Sequence, residues 1–260
     1  MTFVSPTSVD VRPDDQPRRR ERGIRAVCLD VDDTLVDYTG SARAALAVLL
    51  DGAGCTVDSV WTIWQQVTDQ HAAAVVTGEL CYPTVHTLRT RAFFAAIGER
   101  LDGVEAERRE RRRSEEMRRR WMLFEDAAGC LDWLRAAGMK IAAVTNASGA
   151  HQRVKLADLG LAGTFDTVVI AGEVGVAKPD PVMFHTACAE LGCVPDEVAH
   201  VGDRLDADAM GAARAGLHGV WLVRDGRADL AAPEGISVIS GLSELPELLV
   251  SELAIAAVRA

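Results

Sequence analysis

Aromatic residues make up only 5% of the chain, two of them tyrosines, and positive charge is in deficit: 28 Lys and Arg stand against 38 Asp and Glu, a formal net charge of −10. Such an acidic balance argues against a nucleic-acid partner or binding to an anionic membrane surface. Any anionic substrate then needs local positive charge or a metal. No run of about 18 apolar residues occurs, so no membrane span is expected. The six cysteines, Cys28, Cys55, Cys81, Cys130, Cys188 and Cys193, form no CxxC pair. Scattered reduced thiols of a cytoplasmic protein fit this spacing better than a disulfide framework. Residues 1–22 lack the apolar segment of a secretory signal and hold Pro6, Pro13 and Pro17, so a mobile tail is expected there. There is no internal repeat, and the only biased tract is a run of arginines.

What is present suits a folded enzyme. The 260 residues are 48% hydrophobic and 25% charged, enough to bury a full core. Ile24 to Leu29 reads as a buried strand that feeds Asp30-Val31-Asp32-Asp33-Thr34-Leu35. Four helical stretches follow, at Ser41–Leu50, Asp58–Val76, Thr87–Leu101 and Glu105–Trp121, with no strand between them. Beyond them the pattern alternates. Strands are expected at Lys140–Val144, Thr167–Ile170, Val198–Val201, Gly219–Val223 and Ile236–Ile239. Helices are expected at Cys130–Ala137, up to Leu159, Pro181–Leu191, Ala207–Ala215 and from Leu242 onward. Alternation of this kind means right-handed βαβ units and a parallel sheet. The expected fold class is therefore α/β: a Rossmann-like parallel-sheet core over residues 23–39 and 123–260, with an all-helical insertion over 40–122.

Four polar segments each lie after an apolar strand of the core, and each supplies a distinct kind of group. Asp30 and Asp32 are two apart on extended chain and share a face. Both can reach one pocket at the strand's C-terminal end, where open α/β sheets bind ligands. Two carboxylates so close repel unless a cation or a shared proton relieves them. The pair suits a nucleophile, Asp30, beside an acid/base, Asp32, though a surface turn would also use such residues. Thr145, with the backbone N–H groups of Asn146 and Ala147, could hold a phosphoryl oxygen at a helix start or simply cap the helix. Lys178 could neutralise phosphate and carboxylates or be a solvated loop lysine. Asp203 and Asp208 could offer hard oxygen ligands to magnesium, or Asp203 or Asp206 could simply cap a helix.

Together these segments resemble the four motifs of the haloacid dehalogenase (HAD) superfamily: Asp30-Val31-Asp32-Asp33-Thr34-Leu35, Val144-Thr145-Asn146, Val174 to Asp180, and Val201-Gly202-Asp203 through Asp208. The match spans about residues 24–225. It implies a HAD-like core with a C1-type helical cap, and a hydrolase that works with Mg2+ through an aspartyl-phosphate on Asp30. Asp32 would be the acid/base and would lend its backbone carbonyl to the metal. Thr145 and Lys178 would hold the phosphoryl group, with Asn146 beside them. Asp30, Asp203 and Asp208 would complete the metal site. Asp33 stands where relatives often have Gly or Asn and is assigned no role. Retention of a second acid, Asp32, favours phosphoryl chemistry over carbon–halogen cleavage. Glu173 to Asp180 and Asp37-Tyr38-Thr39 are similar to the nucleotidase and N-acylneuraminate 9-phosphatase branch. The expected substrate is a small phosphate ester, a nucleotide or sugar phosphate. A sugar phosphomutase or a non-catalytic binding domain are the alternatives. In the insertion, Arg108 to Arg120 holds eight arginines, either a solvated face or a basic rim. Trp61, Trp64, His71, Tyr82 and His86 either pack the cap or face the cleft.

Overall fold

The computed structural model describes residues 23–50, 54–76, 81–224, 226 and 232–251. The expected tail over 1–22, the end of the expected C-terminal helix and the Tyr82 side chain lie outside them. Six strands form one sheet: β1 (Ala26–Leu29), β2 (Lys140–Thr145), β3 (Thr167–Ile170), β4 (Val198–Gly202), β5 (His218–Leu222) and β6 (Ile236–Ile239). Their order is β3-β2-β1-β4-β5-β6, and every pairing is parallel. The chain winds outward in both directions from β1. The crevice between the ends of β1 and β4 is thus a topological switch point, the usual ligand site of such sheets. The expected parallel α/β core is borne out.

Side chains of β1 alternate between the two faces, as a pleated strand requires. Val27 and Leu29 join a core with helix α5 (Glu125–Ala136) and Leu242 to Leu249; Ala26 and Cys28 join another with helix α8 (Pro181–Leu191). Helix α8 starts where Asp180 accepts a bond from the Val182 N–H, with proline in the first turn, and stops at Gly192, whose φ is 63°. That left-handed conformation is one glycine adopts at little cost. Helix α5 starts at Glu125, ahead of the expected Cys130, because Glu125 and Asp126 complement the N-terminal end of the dipole. The expected helix Ala207–Ala215 divides into a turn of π-helix, Leu205–Ala209, followed by α9 (Met210–Arg214). Two short helices flank β3, α6 (Gly149–Asp158) and α7 (Ala171–Val174), and α10 (Leu245–Ser251) follows β6.

Between β1 and α5 lie α1 (Tyr38–Leu49), α2 (Val57–Val76), α3 (Tyr82–Ala96) and α4 (Gly103–Arg119). The chain leaves and returns through adjacent segments: Val36 pairs antiparallel with Leu123, and the Asp37 N–H donates to the Met122 carbonyl at 3.0 Å. The helices bury their own apolar cluster, including Leu46, Trp64, Phe93 and Phe94. Trp64 meets Phe93 edge-on with ring centroids 5.2 Å apart. No helix among the described residues is long and apolar enough to cross a membrane.

A buried ion cluster ties α3 to α4. Glu110 accepts from Thr90 Oγ1 at 2.6 Å, from Arg113 Nη2 at 2.7 Å and from Arg89 Nη2 at 3.3 Å. Burial pushes the Glu110 carboxyl up, but Arg113, His86 and Arg89 outweigh it and hold the group well below the usual carboxylate range. Removing one partner of such a cluster leaves uncompensated buried charge. Glu110→Leu is expected to destabilise the fold by about 3–5 kcal/mol at neutral pH, measured by urea unfolding. A depressed carboxylate contributes stability above its unfolded value and loses it as pH falls through the folded one. The gap to wild type should therefore narrow below about pH 4.3.

Candidate active site

All four expected segments meet at the C-terminal edge of the sheet. The side chains of Asp30, Asp32, Thr145, Asn146, Lys178, Asp203 and Asp208 line one cavity of about 620 Å³. Asp30 follows β1 directly, and its N–H is held by the Val201 carbonyl at 2.9 Å, which ties the loop after β1 to β4. Lys178 reaches in from the segment before α8. Its Nζ lies 2.6 Å from Asp30 Oδ1, 2.6 Å from Asp208 Oδ1 and 2.6 Å from the Val144 carbonyl. Asn146 clasps the backbone of that same lysine: Lys178 N–H donates to Asn146 Oδ1 at 2.7 Å, and Asn146 Nδ2 donates to the Lys178 carbonyl at 2.9 Å.

Asp208 sits on the π-helical turn. It is fastened by the Arg204 N–H at 3.0 Å and His200 Nε2 at 3.1 Å. A close approach makes room for it: a Cβ on Gly202 would fall 2.3 Å from Asp208 Cγ, so the last residue of β4 has to be glycine. Asp32 pairs with Lys155 of α6 at 2.6 Å. Thr145 Oγ1 accepts from Gln152 Nε2 at 3.3 Å. Asp33 takes a positive φ of 61° and accepts from both the N–H and the hydroxyl of Thr39 at 2.7 Å. It shapes the turn, in keeping with the absence of an assigned role.

Charge in this cavity is unevenly shared. Burial pushes the Asp30 carboxyl well up, Lys178 opposes this, and Asp208 and Asp203 add repulsion. Burial, then Asp208, raises the Asp203 carboxyl to about 7. Asp208 is also penalised by burial, yet Lys178 and His200 hold it well below the usual range. Lys178 keeps its proton more tightly than an ordinary lysine: burial disfavours its charge, but Asp208 and Asp30 overcome that. One ammonium among three carboxylates leaves net negative charge. Asp30, Asp203 and Asp208 each offer a ligand atom within 4.8 Å of the others. This oxygen-only donor set, with two carboxyls pushed up by burial and by the charge of neighbouring carboxylates, fits a hard divalent cation such as magnesium.

Lys155 and Gln152 were not singled out from the sequence. They are three apart on α6 and so share a face, which turns both toward the loop after β2. The helices between β1 and α5 divide as follows. Trp61 and Trp64 pack in the helical cores instead of lining the cleft. His71 and His86 line a second cavity beside the first. Of the arginine run, Arg108, Arg111, Arg112, Arg119 and Arg120 are exposed, Arg118 pairs with Asp158 of α6 at 2.6 Å, and Arg113 is buried. The run is thus mostly a solvated face, with one member turned inward.

Fold and site define a class, and comparison with known proteins names it. The family model of haloacid dehalogenase-like hydrolases matches residues 24–216; the chain belongs to this family and is a hydrolase. It is similar to the phosphoserine phosphatase of Thermus thermophilus, with 31% identity over 77% of this chain and 89% of the relative. It is also similar to the N-acylneuraminate-9-phosphatase of Homo sapiens, with 30% identity over 88% and 94%. Among solved structures, the magnesium-bound HAD-hydrolase YfnB of Bacillus subtilis shares the fold, with a TM-score of 0.71 and 24% identity over 88% of this chain and 100% of that one.

Asn146→Ala removes both bonds that position the Lys178 backbone. It is expected to destabilise the protein by about 2 kcal/mol, measured by chemical denaturation.

Proposed function

We propose that this hydrolase is a magnesium-dependent phosphatase that cleaves small-molecule phosphomonoesters through an aspartyl-phosphate on Asp30. The observation that carries the reading is the convergence of Asp30, Asp32, Lys178, Asp203 and Asp208 on one cavity. The names of the relatives, phosphoserine phosphatase and N-acylneuraminate-9-phosphatase, support phosphate esters as the substrate class. Residues 23–39 and 123–260 form the catalytic core in this reading, and residues 40–122 the cap. Six free thiols agree with a cytoplasmic setting.

Asp30 attacks phosphorus; a bond from its carboxylate oxygen to phosphorus forms as the bond to the leaving oxygen breaks. Asp32, close enough along the chain to face the same phosphate, gives that oxygen a proton. Water then attacks the aspartyl-phosphate, Asp32 takes the proton back, and Asp30 is released with inorganic phosphate. Thr145, Asn146 and Lys178 hold the phosphoryl oxygens. Magnesium would be held by Asp30, Asp203, Asp208 and the Asp32 carbonyl, and would supply positive charge against the phosphate. The helical cap keeps bulk water from the site, which strengthens each of these charges.

Asp30→Asn offers an amide that cannot form the acyl-phosphate. Phosphate release from p-nitrophenyl phosphate should fall by about 10³-fold or more; near-normal turnover would sink the mechanism. Asp203→Asn should weaken magnesium binding by roughly 10–100-fold, read by titration calorimetry without substrate.

A further inference from the structure

A second cavity opens between the helical layer and α6. It shares Asp32, Tyr38, Thr68 and Asn146 with the cavity around Asp30. In the phosphatase reading, on which this inference rests, a phosphate at Asp30 directs its leaving oxygen past Asp32. Asp32 lines the second cavity too. Its volume is about 120 Å³, below the roughly 150 Å³ apolar cavity that accommodates benzene. It has room for on the order of six non-hydrogen atoms.

The wall of this cavity is cationic. Arg89, Arg113 and Lys155 line it; with Asp32 on Lys155 and Glu110 shared by the two arginines, cations outnumber carboxylates three to two. All three cations are buried, at 3%, 2% and 1% exposure. Glu110 is shared by Arg89 and Arg113, bonding the latter through both Nε and Nη2, and holds their guanidinium groups in place. Burial, with Arg89 and Arg113 nearby, lowers His86 to about 4; burial and then Lys155 lower His151 to about 3. Both histidines are therefore neutral at pH 7, and both register the positive field. Hydrogen-bonding capacity is also waiting. Among the described residues, the buried Thr68 Oγ1, Ser148 Oγ and Gln152 Oε1 have no hydrogen-bond partner. Gln152 is fully buried, so its Oε1 is an acceptor in need of a donor.

We propose that this cavity receives the leaving group, and that the leaving group is short and bears a carboxylate together with a hydroxyl or ammonium. The substrate is then a phosphorylated small hydroxy acid or amino acid. Its carboxylate meets the positive charge of Arg89, Arg113 and Lys155 that Glu110 and Asp32 leave unbalanced. Its hydroxyl or ammonium donates to Gln152 Oε1, and the two free hydroxyls complete its hydrogen bonds.

The test compares esters matched in size but not in charge: 3-phosphoglycerate against glycerol 3-phosphate, and O-phosphoserine against phosphoethanolamine, with nucleoside 5′-monophosphates as the large arm. For the wild-type enzyme with magnesium, kcat/KM for at least one carboxylate ester should exceed that of its neutral counterpart by about 100-fold. Arg113→Met should raise KM for the carboxylate ester and shrink that ratio by about tenfold or more. If the variant does not fold, the wild-type ratio decides alone. Equal turnover of both members of each pair, or faster turnover of nucleotides, would overturn the proposal while leaving the phosphatase reading intact. An enzyme that releases phosphate from none of these esters nor from p-nitrophenyl phosphate would defeat both.

Discussion

Three carboxylates crowd the C-terminal edge of a parallel sheet, and one buried ammonium pairs with two of them. Lys178 touches Asp30 and Asp208 at the same distance, 2.6 Å, and the rest of the site is arranged around that contact. Asn146 fixes the lysine's backbone, His200 fixes Asp208 from beneath, and Gly202 leaves the space in which Asp208 lies. Buried like charges are unfavourable unless compensated. Lys178 compensates only part of the charge, so the cluster remains ready for a divalent cation and for a substrate brought with it.

The sheet sets where this happens. Because β1 has β2 on one side and β4 on the other, the loops after β1, β2 and β4 open at one place. The short connections of a parallel sheet put the N-termini of the following segments there as well, a setting that favours anions. The helical layer adds a second wall. It has its own apolar core and its own buried ion cluster on Glu110. Its inward arginines bring positive charge to a site whose core is rich in acids. In the proposed reaction, the phosphoryl group meets the acid-rich core together with a cation, and the remainder of the substrate meets the arginines.

The core was legible in the sequence because its signals are local. Apolar runs of four to six residues, closed by Asp30, Thr145 or Gly202, mark strands whichever way they pair, and the four motifs each follow one. The helical layer was legible only as helices. Which of its side chains face the cleft depends on how α2, α3 and α4 rotate against one another, and periodicity does not distinguish a core stripe from a cleft stripe. Trp64 and Arg113 show the difficulty: the tryptophan pairs with Phe93 inside the layer, while one arginine of an otherwise solvated run turns inward beside the site.

By itself the sequence determined the chemistry available: two carboxylates two residues apart, a lysine before a proline, and acids after a third buried strand. It determined these because reactive groups must sit on particular residue types at short spacings. Only the tertiary structure decided that Lys155 reaches Asp32, that Arg89 and Arg113 share Glu110, and how large the space beside them is. Those contacts join residues from 3 to 123 positions apart, and the long-range ones exist only once helices and sheet have packed against each other.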